Sequence, residues 1–445
     1  MGCSLPQILN KDNMQTVAIT TLGCKINQFE SAAMGEALGK NGFRVLPFEE
    51  AADIYVINTC TVTAKTDAES RKLIRRARRR NPAARIVVTG CYAQVAFEEL
   101  QEMEGVDLII GNLEKKGLVG FLRELGDEKR VLVSDISQVR ETEGTELESF
   151  AEHTRAFLQV QNGCDAFCSY CIVPYARGGS RSVPLAEALA GVRTFAAKGF
   201  REVVLTGIHL GGYGLDLNPP VTLLDLLKGV EEGGLVPRLR VGSVEPNEVT
   251  PELVAFLASS RTICPHFHIP LQSGDDGVLE RMNRHYTTAR FREMVESLVA
   301  ALPDACIGCD IIAGFPGETE EEFARTLEFV QSLPLAYLHV FPFSPREGTP
   351  AATMTGQVAP AVIRERAKAL RRVSDEKRRA YYRRFIGQVL PVLIQRPDSD
   401  GVLHGLSRNY LPVVIAGGAE LVNREVPVRI VSVERELVRG ELCEK

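Results

Sequence analysis

Cys164-Asp165-Ala166-Phe167-Cys168-Ser169-Tyr170-Cys171 sets three thiols in one loop-sized stretch of a 445-residue chain. Spacing this tight lets three thiolates converge on one centre at little cost in chain entropy. Zinc sites usually combine two separated pairs, and no matching Cys-x-x-Cys or His pair lies near this stretch. Ferredoxins ligate every iron of a cubane cluster with Cys, so three ligands leave one iron open. An open coordination position marks a working site.

Cys-x3-Cys-x2-Cys is the motif of the radical S-adenosylmethionine (SAM) enzymes, and the chain resembles them. In that superfamily the amino and carboxylate groups of SAM chelate the open iron, and one electron cleaves SAM to a 5′-deoxyadenosyl radical. The resemblance implies a role near the adenine for Tyr170, the aromatic residue before the last Cys.

Downstream, six apolar, β-branched runs alternate with helical patterns. They are Ala156–Gln161, Glu202–Gly207, Arg238–Val244, His266–Leu271, Cys306–Ala313 and Tyr337–Phe343. The alternation predicts a parallel sheet closed as a partial TIM-type (β/α)6 barrel, with its site at the C-terminal strand ends. Thr206, His209, Ser243, Glu245, Gln272 and Ser273 gather there as candidate cofactor contacts, with Asp310, Ser344 and Arg346 beyond them. A polar loop residue is as often a turn former as a ligand.

Upstream, Thr16–Leu22, Asp53–Asn58 and Arg85–Thr89 read as buried parallel strands, each ending on a cysteine: Cys24, Cys60 and Cys91. The intervals of 36 and 31 residues are each about one βαβ step of ~30 residues. Parallel strands share one C-terminal edge, so three distant thiols would converge. Three strand-end cysteines in a reduced core are the plainer alternative.

The two triads together resemble the methylthiotransferase family over nearly the whole chain. Gly163-Cys164, Pro174-Tyr175-Ala176-Arg177-Gly178, Leu271-Gln272-Ser273-Gly274, Gly314-Phe315-Pro316-Gly317-Glu318 and Ser344-Pro345-Arg346 agree with it. The resemblance implies two 4Fe-4S clusters, an auxiliary one on Cys24, Cys60 and Cys91 and a radical SAM one on Cys164, Cys168 and Cys171. One SAM would methylate cluster-bound sulfur, and a second would give the radical that activates an unreactive C–H bond. No catalytic residue beyond the cluster ligands is expected; an external electron donor and a sulfur donor are. Lys25-Ile26-Asn27 after Cys24 resembles the branch that converts N6-threonylcarbamoyladenosine beside the tRNA anticodon to its 2-methylthio derivative. The sister branches act on isopentenyladenosine in tRNA or on a ribosomal-protein aspartate. A non-catalytic iron–sulfur RNA-binding protein or electron carrier is the rival of another class, but both triads lack a local fourth Cys.

Residues 71–85 hold eight basic residues and no acidic one, and 364–384 hold ten against three. In a chain of net charge −5, two such runs favour RNA over two solvated helix faces. Arg75, Arg78, Arg177, Arg346 and Arg408 are the candidate substrate contacts. From Ile386 short strands suggest a small antiparallel β-barrel, which resembles the TRAM module. It is near neutral, with seven Lys and Arg against eight Asp and Glu, so its RNA grip would need polar or aromatic contacts such as Arg408 and Tyr410.

The expected organisation is α/β: a tail at 1–14, a parallel-sheet domain at 15–127, a linker at 128–149, the radical SAM core at 150–385 and the barrel at 386–445. Cys306 and Cys309 fall inside an apolar strand, one facing each side, and read as structural, as does Cys264. Cys3 and Cys443 are terminal. No apolar run is long enough for a membrane span, and the first residues carry no signal pattern, so a cytoplasmic protein is expected.

Overall fold

A computed structural model describes residues 14–141, 147, 154–398 and 401–443. Cys3, nearly all of the expected tail, part of the expected linker and Asp400 lie outside them. The chain divides into two compact units. One comprises residues up to Val139 together with Tyr175–Gly178; the other holds the rest.

The first unit is built on a six-stranded, wholly parallel sheet in the order Arg44–Leu46, Thr16–Thr21, Ile54–Thr59, Arg85–Gly90, Leu108–Ile110, Arg130–Leu132. The middle three are the strands read from sequence. The other three have three residues each, too short to give a pattern. Ile54–Thr59 is buried along its whole length, as a central parallel strand must be. Chain order reverses beside Thr16–Thr21, which pairs with Ile54–Thr59 instead of leading outward. Ligands bind at such a switch point, outside the carboxyl ends of the strands. The helix Lys25–Lys40 starts directly after Cys24 and stops at Asn41-Gly42, where Gly42 takes φ +88°. The helix Ala64–Arg80 starts in a reciprocal Thr63/Thr66 capping box and buries Ile74 and Ala77.

In the second unit all six expected strands form: Arg155–Gln159, Glu202–Thr206, Arg238–Val241, His266–His268, Cys306–Ala313 and Tyr337–Pro342. They make two three-stranded parallel arcs joined through a parallel bridge between Leu239 and Ile263. Helices lie between successive strands, giving the partial (β/α)6 barrel. The last strands form a closed five-stranded barrel in the order Val389–Pro397, Val402–Ser407, Pro412–Ala416, Leu437–Leu442, Glu425–Glu434. One pair, Pro412–Ala416 with Leu437–Leu442, is parallel. The turn into the final strand, Leu437–Leu442, is made at Arg435, φ +56°.

A buried charge network joins the two barrels. Glu202 accepts from Arg238 at 2.8 and 2.9 Å and from Arg240 at 3.0 and 3.1 Å. Arg238 continues to Glu425 at 2.8 Å, and Arg240 to the Arg408 carbonyl at 3.1 Å. Tyr410 stacks on His266 at 3.7 Å between ring centroids, under the Arg240 guanidinium. The small barrel therefore closes the N-terminal end of the larger one.

Candidate functional site

The first triad assembles at the switch point of the parallel sheet. Cys24 caps the helix Lys25–Lys40, Cys60 follows the strand Ile54–Thr59, and Cys91 opens a short helix after Arg85–Gly90. Two glycines make the approach possible. At Gly23, φ +101°, a Cβ would lie 2.7 Å from Cys60 Cβ and 2.8 Å from its sulfur. At Gly90, φ +99°, a Cβ would lie 2.3 Å from the Thr59 carbonyl oxygen. Only glycine allows these strands to end side by side. Burial pushes the Cys60 thiol up to about 11, and the neighbouring Cys91 and Cys24 add to the rise. A buried thiol with two more beside it is a donor set suited to a cationic iron–sulfur centre.

A buried ion cluster lies beside them. Arg177 donates to Glu30 at 2.8 Å and to Asn27 Oδ1 at 2.5 Å, and Lys115 also pairs with Glu30. Burial would raise the Glu30 carboxyl, but Arg177 and Lys115 hold it at about 2. Burial alone would lower the Arg177 pKa; Cys91, Glu30 and Cys24 drive it well above the ordinary value instead. Asn112 Nδ2 lies 3.9 Å from the Cys91 sulfur and donates to the Ala176 carbonyl at 2.7 Å. Tyr175–Gly178 thus packs with the first unit, although its sequence position falls in the expected 150–385 core.

The second triad occupies the loop after Arg155–Gln159. Gly163 and Phe167, at φ +73° and +44°, turn it, and the Cys171 amide donates to the Cys168 carbonyl at 2.9 Å. Burial, with Cys168 and Cys164 adding to it, pushes Cys171 up to about 12, so this set also fits a cluster. His209 Nδ1 lies 3.8 Å from Cys164 Sγ, and its Nε2 lies 2.5 Å from Glu248. The Cys164 sulfur and Glu248 together raise His209 to about 10. Arg284 donates to Cys168 Sγ at 3.2 Å and pairs with Glu245. Tyr170 is half-buried in the loop near Cys168, Arg284 and Cys171.

Of the strand-end candidates, His209 and Glu245 stand beside the loop and Thr206 is buried at its strand end. Ser243 is exposed. Gln272 takes φ +65°, and its backbone pairs with Asp310 and Ile312. Ser273 is fully buried against Thr326, a packing position. Arg346 is partly buried, and its carbonyl caps Thr349.

Three of the expected substrate contacts are engaged within the fold. Arg78 is bound within the first unit to Asp107 and the Pro82, Ala84 and Gly105 carbonyls, because it staples a helix end to the sheet. Arg408 donates to Glu425, Arg261 and Pro237, and Tyr410 is stacked inward, because both seal the joint between the barrels. Arg177 is 1% exposed and serves the first triad. Arg75 and Arg79 are exposed, as are Arg364, Lys368, Arg371 and Arg372 in the second basic run. Cys264, Cys306 and Cys309 are buried thiols raised by burial. Sequence reasoning missed Glu30, Lys115, Glu248 and Arg284. Arg284 stands 116 residues from the sulfur it contacts, and no local pattern marks it.

Comparison with known proteins agrees with this anatomy. Residues 16–111 match the Uncharacterized protein family UPF0004, 158–330 the Radical SAM superfamily and 383–443 the TRAM domain. The chain is 40% identical to the threonylcarbamoyladenosine tRNA methylthiotransferase MtaB of Bacillus subtilis, over 94% of each chain. It belongs to the radical SAM methylthiotransferase family. The MtaB of Aquifex aeolicus is 39% identical over 91% of this chain and 98% of that protein. A tRNA-2-methylthio-N(6)-dimethylallyladenosine synthase of Moorella thermoacetica is 33% identical over 97% and 99%. Among solved structures, the radical SAM methyltransferase TsrM of Kitasatospora setae shares the fold, at TM-score 0.55 and 17% identity, over 76% of this chain and 77% of that one. The family is one of transferases, and the radical SAM match implies SAM and a 4Fe-4S cluster. Among the described residues no helix is long and apolar enough to cross a membrane.

Proposed function

We propose that this chain is a tRNA methylthiotransferase that converts N6-threonylcarbamoyladenosine beside the anticodon to its 2-methylthio derivative. The observation that carries the reading is the first triad. Cys24, Cys60 and Cys91 converge at a ligand-binding edge, apart from the thiols that the radical SAM motif already uses. A single-cluster radical enzyme has no use for such a second donor set. Bound to the six cysteines, two 4Fe-4S clusters with SAM supply the electron, the carbon radical and the methylated sulfur that the reaction requires.

The remaining residues have supporting tasks in this reading. Arg177, Lys115 and Glu30 form a fixed charged wall beside Cys24 and Cys91. Arg284 and His209 hold the sulfurs of Cys168 and Cys164. Tyr170, Thr206 and Glu245 are the SAM contacts of choice among the strand-end residues. Arg75 and Arg79 offer exposed charge for tRNA phosphates. An external electron donor, a sulfur donor and a cytoplasmic location complete the picture.

The threonylcarbamoyl branch draws support from Lys25-Ile26-Asn27 and from relatives of that name at 34–40% identity. The dimethylallyladenosine synthases stand lower, at 32–33%. The test is an anaerobic assay of the reconstituted protein with SAM, reductant, sulfide and tRNA bearing threonylcarbamoyladenosine, read by nucleoside mass spectrometry. The methylthio nucleoside is the expected product. If only 5′-deoxyadenosine forms, the branch is wrong, and tRNA bearing isopentenyladenosine is the next substrate.

A further inference from the structure

The last three strands of the partial barrel carry a polar cluster that neither triad uses. Asp310 and His339 are register partners on neighbouring strands, and His268 lies on the strand beyond Asp310. His268 Nε2 is 2.8 Å from Asp310 Oδ1, and His339 Nδ1 is 3.5 Å from the same oxygen. The two imidazole centroids are 4.8 Å apart. On one side, the Tyr337 hydroxyl links His268 Nδ1 at 3.1 Å to His266 Nε2 at 2.9 Å. His266 is stacked on Tyr410 of the small barrel, so this side is the closed floor.

On the other side the connection runs to the Cys164–Cys171 loop. The Val244 amide donates to the His268 carbonyl at 3.2 Å. The next residue, Glu245, pairs with the Arg284 that touches Cys168. The cluster is therefore a polar layer between the floor and the cysteine loop. A carboxylate with two imidazoles is costly to bury unless each group is partnered. The half-exposed imidazole of His339 leaves the layer open to a ligand.

We propose that His268, Asp310 and His339 form the subsite for the N6 substituent of the substrate base, and that they set the preference for a threonylcarbamoyl over an isopentenyl group. The proposal rests on the methylthiolation reading above. A threonylcarbamoyl group presents N–H and O–H donors to Asp310, and a carboxylate and a urea oxygen to the imidazoles. An isopentenyl group presents none of these and makes no hydrogen bond to the cluster. The C2–H and C6–N6 bonds of adenine diverge from the ring. A base whose C2–H faces the cysteine loop thus directs its substituent elsewhere in the lumen, where this layer is the polar surface. Sites built to hydrogen-bond a substrate group reject analogues lacking it by up to ~10⁴–10⁵-fold.

The experiment compares kcat/KM of the reconstituted full-length protein on two tRNAs, one bearing threonylcarbamoyladenosine and one isopentenyladenosine. His339→Leu is expected to lower the preference for the first by at least about tenfold, chiefly through KM, with His339→Gln restoring part of it. An unchanged preference, or equal losses on both tRNAs, overturns the proposal. One equivalent of zinc or manganese in the wild type, bound by nitrogen and oxygen alone in its X-ray absorption and lost in Asp310→Asn, also overturns it, in favour of a metal. A wild type inert on threonylcarbamoyladenosine refutes instead the reading on which the proposal rests.

Discussion

Arg284 donates to the sulfur of Cys168 across 3.2 Å while its other terminal nitrogen pairs with Glu245. The guanidinium lies 4.9 Å from the Tyr286 ring centroid, and the Tyr286 hydroxyl is anchored on the Pro270 and Leu271 carbonyls. A cation fixed in this way is matched to negative charge on the sulfur, and hydrogen bonds to ligand sulfurs raise the potential of a bound cluster. Arg284→Ala is expected to slow SAM cleavage by roughly 10–100-fold and to move the cluster to a more negative potential. Arg284→Lys should fall between. An anaerobic redox titration followed by electron paramagnetic resonance checks the potential.

The two triads should separate by function. Cys24→Ala, Cys60→Ala or Cys91→Ala is expected to abolish methylthiolation, halve the bound iron and leave SAM cleavage in place. Cys164→Ala, Cys168→Ala or Cys171→Ala should remove both activities. Iron analysis and 5′-deoxyadenosine yield are the measurements. Loss of SAM cleavage in the first set would contradict the auxiliary assignment.

Gly23 offers a subtler probe, since an added Cβ would meet Cys60 at 2.7 Å on a backbone at φ +101°. Gly23→Ala is expected to cost about 1–3 kcal/mol and to spread the triad. Iron retention should fall while the second triad keeps its share. Calorimetry with iron quantification on one preparation shows whether the loss is local.

Acid should act through Glu202. Burial raises this carboxyl, but Arg240 and Arg238 prevail and hold it at about 2, below the ordinary 4.5. A depressed folded value means the charged form favours the fold. That stabilisation is complete above pH 4.5 and fades as pH falls toward 2. Glu202→Gln leaves Arg240 buried without a counter-charge and Arg238 with Glu425 alone, and is expected to cost about 3–5 kcal/mol at neutral pH. In urea unfolding, the gap between variant and wild type should narrow at pH 3; a constant gap would argue against the linkage.

For tRNA, the helix Ala64–Arg80 exposes Arg75 and Arg79, whereas Lys72 and Arg76 have acidic neighbours and Arg78 is engaged with Asp107. Arg75→Glu with Arg79→Glu should weaken binding uniformly across tRNAs and reduce the salt slope by about 2. Filter binding at several salt concentrations measures both. Arg78→Glu should instead lower stability.

What could be read from the residues depended on periodicity and spacing. The six strands of the partial barrel were legible as apolar, β-branched runs, one of which forms only the three-residue strand His266–His268, whereas no period marked Arg44–Leu46, Leu108–Ile110 and Arg130–Leu132. Both triads were legible, one through local spacing and one through strand-end placement. The basic runs were legible only as composition. The same arginine can face water, as Arg75 does, or hold a helix end, as Arg78 does, and sequence does not distinguish them.

The sequence alone determined the two thiol triads, the parallel architecture and the family, because each depends on residue type at fixed separations along the chain. The tertiary structure decided which charges are spent on the fold. Arg408 and Tyr410 seal the joint between the barrels, Arg177 serves the first triad, and Arg284 reaches a sulfur 116 residues away. It also gathered His268, Asp310 and His339 into one layer. The physical reason is common to all of these. A polar side chain takes its role from the partner that compensates its burial, and packing brings that partner from a distant part of the chain.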